Sequence, residues 1–305
     1  MEPDKKPLLD PAFLRKLERL RIQARRAFAG TTRGERRSTR RGSSVEFADF
    51  RKYETGDDFR HVDWNIYARL ERLMLRQFIE EEEVRVDILI DRSRSMHFGE
   101  PLTKFDFAIR VAAALAFLAV TGLDRVGVAA FDSTTRERLR ALRGRGHLMS
   151  VISFLNDLAE AVDEDSSPLE PTNLAAVMRA YQKSNARSGI VFVISDFMDA
   201  GDFRTEMKLL SRRGYDVNLI QTLSLEETRP EIAGDLLLVD SETGDEREIT
   251  INARALAAYK TIFARMTAEL ETFCRANGLG YLVAVTDQGF EDLLLKNLIE
   301  SRMAE

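Results

Sequence analysis

The chain has 305 residues, of which 44% are hydrophobic and 31% charged, with a net charge of −5. That composition suits a soluble globular protein with room for one large α/β domain or two modest ones. Its single cysteine, Cys274, excludes an intramolecular disulfide and any cysteine-based zinc cluster.

The charge is unevenly placed. Residues 1–41 hold 13 Lys/Arg against 5 Asp/Glu, a net of +8, so the remainder carries −13. A basic arm of this kind can touch nucleic acid or an anionic membrane face. The plainer reading is a solvated helix and flexible arm that docks on its own acidic body, with no specific nucleic acid as partner. Apolar positions Phe13, Leu14, Leu17 and Leu20 favour one face of a helix over residues 10–29. Residues 31–44 are Gly, Ser, Thr and Arg apart from Glu35, the composition of a linker. Residues 1–44 are therefore read as a basic helical arm and linker.

Residues 45–83 alternate aromatics with charges around the turn signal Thr55-Gly56-Asp57-Asp58. They are too polar for a core strand and too aromatic for a linker, so a wrapping segment is expected that buries rings while arginines and aspartates pair. From residue 84 onward the text is that of strands alternating with helices. VRVDILID ends a strand at Asp91, residues 104–122 form a helix apolar on nearly all sides, and strands follow at 124–131 and, at an edge, 136–142. Helices are expected at 145–161 and 173–186, flanking an acidic loop at 163–170. GIVFVIS, 189–195, is a second continuous apolar strand and stops at Asp196. Further on come a helix near 203–213, a strand at 216–222, a hairpin pairing 236–240 with 246–251, a long helix over 253–277, a strand at 280–286 and a helix over 291–302. Continuous apolar strands between helices predict an α/β fold with a mostly parallel sheet covered on both faces, spanning residues 84–305.

The longest apolar run, residues 111–120, falls well short of the ~20 residues that span a bilayer. The N-terminus also lacks the charged-then-apolar order of a signal peptide. A cytoplasmic protein without a transmembrane segment is the expectation.

Two strands thus end in aspartate, and open α/β sheets place ligands at the carboxyl ends of their strands. Asp91, Ser93 and Ser95 stand at alternate positions, so one carboxylate and two hydroxyls can converge on a hard cation. Thr172 opens a helix and Asp196 ends the second strand. Taken singly, each has a bland role: Ser93 or Ser95 capping the turn, Thr172 as a helix N-cap, Asp196 as a turn residue. Together, Asp91, Ser93, Ser95, Thr172 and Asp196 resemble the metal-ion-dependent adhesion site (MIDAS) of von Willebrand factor A domains. That resemblance implies a Rossmann-like A fold, first-shell or water-bridged places for Asp91, Ser93, Ser95 and Thr172, the last place for Asp196, and Mg²⁺, with Mn²⁺ or Ca²⁺ as alternatives. The family's usual Gly-Thr loop has Pro171 before the threonine here.

Upstream, Phe50, Tyr53, Gly56, Asp57, Asp58, Arg60, Asp63, Trp64, Ala68 and Arg69, then Leu75, Arg76 and Phe78, then Glu80, Glu81 and Glu82 resemble the domain of unknown function 58 family. The likeness runs from about Gly42 to the C-terminus and suggests a short, soluble member. It implies a von Willebrand A-like fold working beside a MoxR-type AAA+ ATPase in chaperone-like maturation or assembly of other proteins. The client would supply an acidic side chain to the metal, and the module itself would not be an enzyme.

Two rival readings stand beside this one. Asp57, Asp58, His61 and Asp63 have the residue types of a metal-dependent hydrolase, although Arg51, Arg60, Arg69, Arg72 and Arg76 among them favour an ion-pair network. The A-like fold could also be a metal-free scaffold whose strand-end aspartates only close turns. No Gly-rich phosphate loop of the Walker type is present, so ATP hydrolysis is not expected of this chain. His97 and His147 lack triad partners, and Cys274 reads as a buried thiol.

Overall fold

The structure is a computed structural model that describes residues 11–13, 15, 16, 18, 45–54, 57–80, 84–121, 124–132, 135–161, 172–184, 189–198, 202–232, 234–239, 246–289 and 293. The linker expected at 31–44 and the acidic loop at 163–170 lie outside these residues, as does all of the last helix but Leu293. The chain divides into two compact units, one of Met1–Arg26 with Val84–Glu305 and the other of Ala27–Glu83.

In the smaller unit, β1 (Val45–Lys52) pairs antiparallel with β2 (Met74–Glu80), with an irregularity between Phe47 and Asp49. Between them lie a 3₁₀ turn, Phe59–His61, and a short helix, α1 (Trp64–Leu70). A core strand was not expected here because charges interrupt the apolar residues. A two-stranded sheet needs only one buried face, so the alternation of aromatics with charges suits it. Asp63 starts α1 by accepting from the amides of Asn65 (2.9 Å) and Ile66 (3.1 Å), and Tyr53 stacks on Phe59 at 5.0 Å.

The larger unit is built on a six-stranded sheet in the order β10-β7-β6-β3-β4-β5. These strands are β3 (Arg85–Asp91), β4 (Arg125–Phe131), β5 (Thr135–Leu142), β6 (Ile190–Ser195), β7 (Asp216–Leu223) and β10 (Gly280–Val285). All pairings are parallel except β4 with β5, so the expected edge strand is there and runs against the rest. The parallel strands carry apolar side chains toward both faces, as two separate cores require. On one face, Val86, Ile88 and Ile90 of β3 pack with α2 (Lys104–Thr121) and α3 (Arg145–Glu160). Phe13, in the helical residues 11–13, belongs to the same core and is 5% exposed, so that ring anchors them to it. On the other face, Leu89, Val191, Val193, Val217 and Leu219 pack with α4 (Leu174–Ser184) and α5 (Arg204–Arg212), and with Leu270 and Cys274 of α7 (Ala253–Ala276).

The central strand is not wholly apolar. Asp87 is buried, bonded to Arg85 (2.7 Å) and to the Tyr181 hydroxyl (2.6 Å). Gly127 sits opposite it in the register, and a Cβ there would come within 2.6 Å of the Asp87 carboxylate. The glycine makes room for the buried charge. The expected hairpin is a separate two-stranded sheet, β8 (Gly234–Val239) with β9 (Glu246–Ile251). A short helix that sequence reading passed over, α6 (Leu225–Thr228), follows β7 and carries a complete capping box between Ser224 and Glu227.

Candidate metal centre

β3 and β6 are neighbours, with Ile90 opposite Ile194, so Asp91 and Ser195 come side by side at the carboxyl end of the sheet. Asp91 is 2% exposed. One of its oxygens accepts from the Ser93 amide (2.8 Å) and the other from the Ser195 hydroxyl (2.6 Å). Burial and the nearby Asp196 charge together push the Asp91 carboxyl up to about 7, against the pull of its bonds to Ser195 and Ser93. A positive charge near this pair relieves their repulsion.

The turn after β3 is a short 3₁₀ segment, Arg94–His97, with Ser93 at its N-cap position but with no side-chain capping bond. The Ser93 hydroxyl is instead 3.1 Å from that of Ser95. That is a hydrogen bond, and its length is also near the ~3.0 Å between adjacent ligands of an octahedral shell with bonds of about 2.1 Å, so the pair can meet a Mg²⁺ without rearranging. Thr172 is buried just ahead of α4. It is not the capping residue: Asn173 accepts from the Ala176 amide (2.9 Å) and so caps the helix. Because α4 leads back to the start of β6, its N-terminus and Thr172 lie toward the carboxyl end of the sheet, where Asp91 is.

Asp196 is 2% exposed, with one oxygen accepting from the Met198 amide (3.0 Å) and the other from the Lys104 ammonium (2.8 Å). Both strand-end aspartates thus also close their own turns, as the scaffold reading expects. Phe197, next in sequence, has φ of 56°, which a bulky side chain rarely adopts. The Ser195 hydroxyl helps to hold it there by accepting from the Phe197 amide (3.0 Å), and the ring is fixed against Phe203. Asp91, Ser93, Ser95 and Asp196 are therefore brought to one place by β3 and β6. Their hydroxyls and carboxylates form an all-oxygen donor set suited to a hard cation. Among the described residues no group of three or more His, Cys, Asp or Glu is arranged to hold a metal, so any cation site here depends on the serines.

Three participants were not singled out from the sequence. Ser195 bridges the two aspartate loops. Lys104, the first residue of α2, is 1% exposed and donates to Asp196 and to Glu227 (2.6 Å). Glu227 is held in turn by the Ser224 amide (2.8 Å). The signals were present: a lysine opening a mostly apolar helix, and the Ser-x-x-Glu of Ser224 and Glu227, a capping-box pattern.

The carboxylates of the rival cluster are engaged by arginines and amides. Asp57 takes two bonds from Arg51 (2.5 and 2.7 Å), which holds its carboxyl below the usual range, and Asp58 takes Arg60 at 2.6 Å. Asp63 caps α1. These are the contacts the ion-pair reading calls for. In the larger unit, the buried His147 bonds through Nε2 to the Val126 carbonyl (2.7 Å), a structural tie.

Comparison with known proteins agrees with the sequence pattern. Uncharacterized proteins of Mycobacterium bovis and Mycobacterium tuberculosis are 28% identical over 264 residues, covering 84% of this chain and 81% of theirs. A conserved hypothetical protein BatB from Bacteroides thetaiotaomicron overlaps with a TM-score of 0.44 at 16% identity, over 72% of this chain and 98% of that one. An aerotolerance-related membrane protein from Bacteroides fragilis overlaps with a TM-score of 0.45 at 18% identity, over 73% and 100%. Among the described residues no helix is long and apolar enough to cross a membrane. The model of the family described as protein of unknown function DUF58 matches residues 49–269, and the chain belongs to that family.

Proposed function

We propose that this protein is a metal-dependent protein-interaction module, not an enzyme, that works with a MoxR-type AAA+ ATPase in chaperone-like maturation or assembly of other proteins. The observation that carries the metal part is the convergence of Asp91, Ser93, Ser95 and Asp196 at the carboxyl ends of β3 and β6. Asp91, Ser93, Ser95 and Thr172 would hold Mg²⁺, with Asp196 completing the set from the adjoining loop. A bound Mg²⁺ supplies an electrophilic centre that can take a carboxylate from a client or partner. The chain's own part is to keep the centre dry and preorganised: Ser195 orients Asp91, and the Phe197 turn aims Asp196. The ATPase partner follows from the family resemblance, and the lack of a Walker loop in the sequence is consistent with a division of labour.

The test is co-purification with a MoxR-type AAA+ ATPase from the same organism, in Mg²⁺ and in EDTA, using wild type and Asp91→Ala. Capture is expected in Mg²⁺ alone and only with wild type. Equal capture of the Asp91→Ala protein in EDTA would overturn the reading.

A further inference from the structure

Lys104 is the least expected feature of the site. A lysine is seldom fully buried, and when it is, its charge must be balanced by close partners. Here the ammonium lies between Asp196 (2.8 Å) and Glu227 (2.6 Å), each on a loop or helix that follows a different strand. Asp196 is beside Asp91, so one hydrogen-bonded and electrostatic chain joins Asp91, Asp196, Lys104 and Glu227. With Asp91 deprotonated, as a metal ligand must be, three carboxylates and one ammonium leave a net charge of −2.

We propose that Lys104 is a built-in counter-charge that sets this site to the charge of one divalent cation, and is thereby its specificity-determining residue. This rests on the reading of Asp91, Ser93, Ser95 and Asp196 as a metal centre. In a largely buried site an uncompensated charge is costly, so the preferred ion is the one that brings the sum to zero. With Lys104 in place that ion is Mg²⁺ or Mn²⁺. Without it the carboxylates sum to −3, and a trivalent ion of similar hardness is favoured. The ammonium also occupies one oxygen of Asp196, which keeps that carboxylate from chelating the metal with both oxygens. An ion with few anionic ligands stays electrophilic toward an outside carboxylate. The lysine therefore weakens metal binding while sharpening what the metal can do.

The experiment compares wild type, Lys104→Met, Glu227→Gln and the double variant Lys104→Met/Glu227→Gln. Mn²⁺ binding is followed by loss of the free-ion paramagnetic resonance signal, and Tb³⁺ binding by sensitised luminescence. Removing the positive charge is expected to tighten Mn²⁺ roughly tenfold or more and to raise the Tb³⁺ to Mn²⁺ affinity ratio further, while lowering metal-free stability. Glu227→Gln should weaken Mn²⁺ by a similar factor, and the double variant, again at −2, should return to within about threefold of wild type. A purely structural lysine would not make a less stable protein bind its metal more tightly. The proposal is overturned if wild type binds Mn²⁺ but folded Lys104→Met binds it no tighter and with the same ion preference. Should Lys104→Met not fold, unchanged Mn²⁺ affinity in Glu227→Gln is the overturning result. Wild type that binds no Mn²⁺ at millimolar metal instead sinks the metal reading itself, and the role of Lys104 with it.

Discussion

At Ser195 a single hydroxyl serves two loops, donating to Asp91 and accepting from the Phe197 amide. Ser195→Ala leaves a buried carboxylate oxygen and a buried amide without that partner, so a loss of about 1–3 kcal/mol in urea denaturation is expected. Asp91 makes stability depend on pH in a defined direction. Its folded-state value of about 7 lies above its ordinary 3.8, so in this range the folded protein binds more protons than the unfolded chain. Metal-free protein should thus lose stability as pH rises from about 4 to about 7, by at most about 4 kcal/mol from this group. Denaturation in EDTA across that range measures the slope, and Asp91→Asn should flatten it. Cys274 is fully buried and its thiol is pushed up to about 12 by that burial, with Arg204 opposing. It should resist iodoacetamide at mildly alkaline pH in the native protein and react once urea exposes it.

The two strands that carry the site meet, at their amino-terminal ends, through a close approach that leaves no room for a methyl group. Gly189 leads into β6 beside the start of β3, and a Cβ there would run into the backbone carbonyl of Arg85. Because backbone cannot swing aside as a side chain can, Gly189→Ala is expected to destabilise by about 1–3 kcal/mol and to disturb the β3–β6 pairing that sets Asp91 next to Ser195. Thermal denaturation with Mn²⁺ affinity as a second readout checks both parts. Helix α7 starts at Asn252, whose side chain accepts from the Ala255 amide (3.0 Å). Asn252→Ala should cost about 1 kcal/mol in a denaturant titration, the usual worth of such a cap, without changing metal affinity.

Across the larger unit, strands β3, β6 and β7 are tied near their carboxyl ends by polar contacts, and β10 joins them from near its start. Ser195 joins β6 to β3, and the Gln221 amide of β7 donates to the Asp196 carbonyl (3.1 Å). The Tyr281 hydroxyl of β10 reaches Gln221 (2.5 Å), and Lys104 links the β6 loop to α6. A cation bound among these groups would stabilise the folded state by linkage. Mn²⁺ at a hundredfold excess over its dissociation constant should add about 2.7 kcal/mol, read as a rise in melting temperature that EDTA reverses. A melting temperature indifferent to Mn²⁺ would support the scaffold reading instead.

The sequence alone determined the alternation of strands and helices, the parallel sheet and its edge strand, because burial on both faces writes continuous apolar runs that local reading detects. It also put Asp91 and Asp196 at strand ends, and the arginines among Asp57, Asp58 and Asp63 announced ion pairs. Over residues 45–80 it did not reveal β1 and β2, because charges interrupt the apolar residues that local reading needs to mark a strand. Only the tertiary structure decided the strand order that makes β3 and β6 neighbours, since pairing of parallel strands is non-local and leaves no mark between them. For the same reason it alone disclosed Ser195 as the tie between the two aspartate loops and Lys104 as the counter-charge of Asp196: 92 residues separate Lys104 from Asp196, and a charge's balancing partner is set by distance in space.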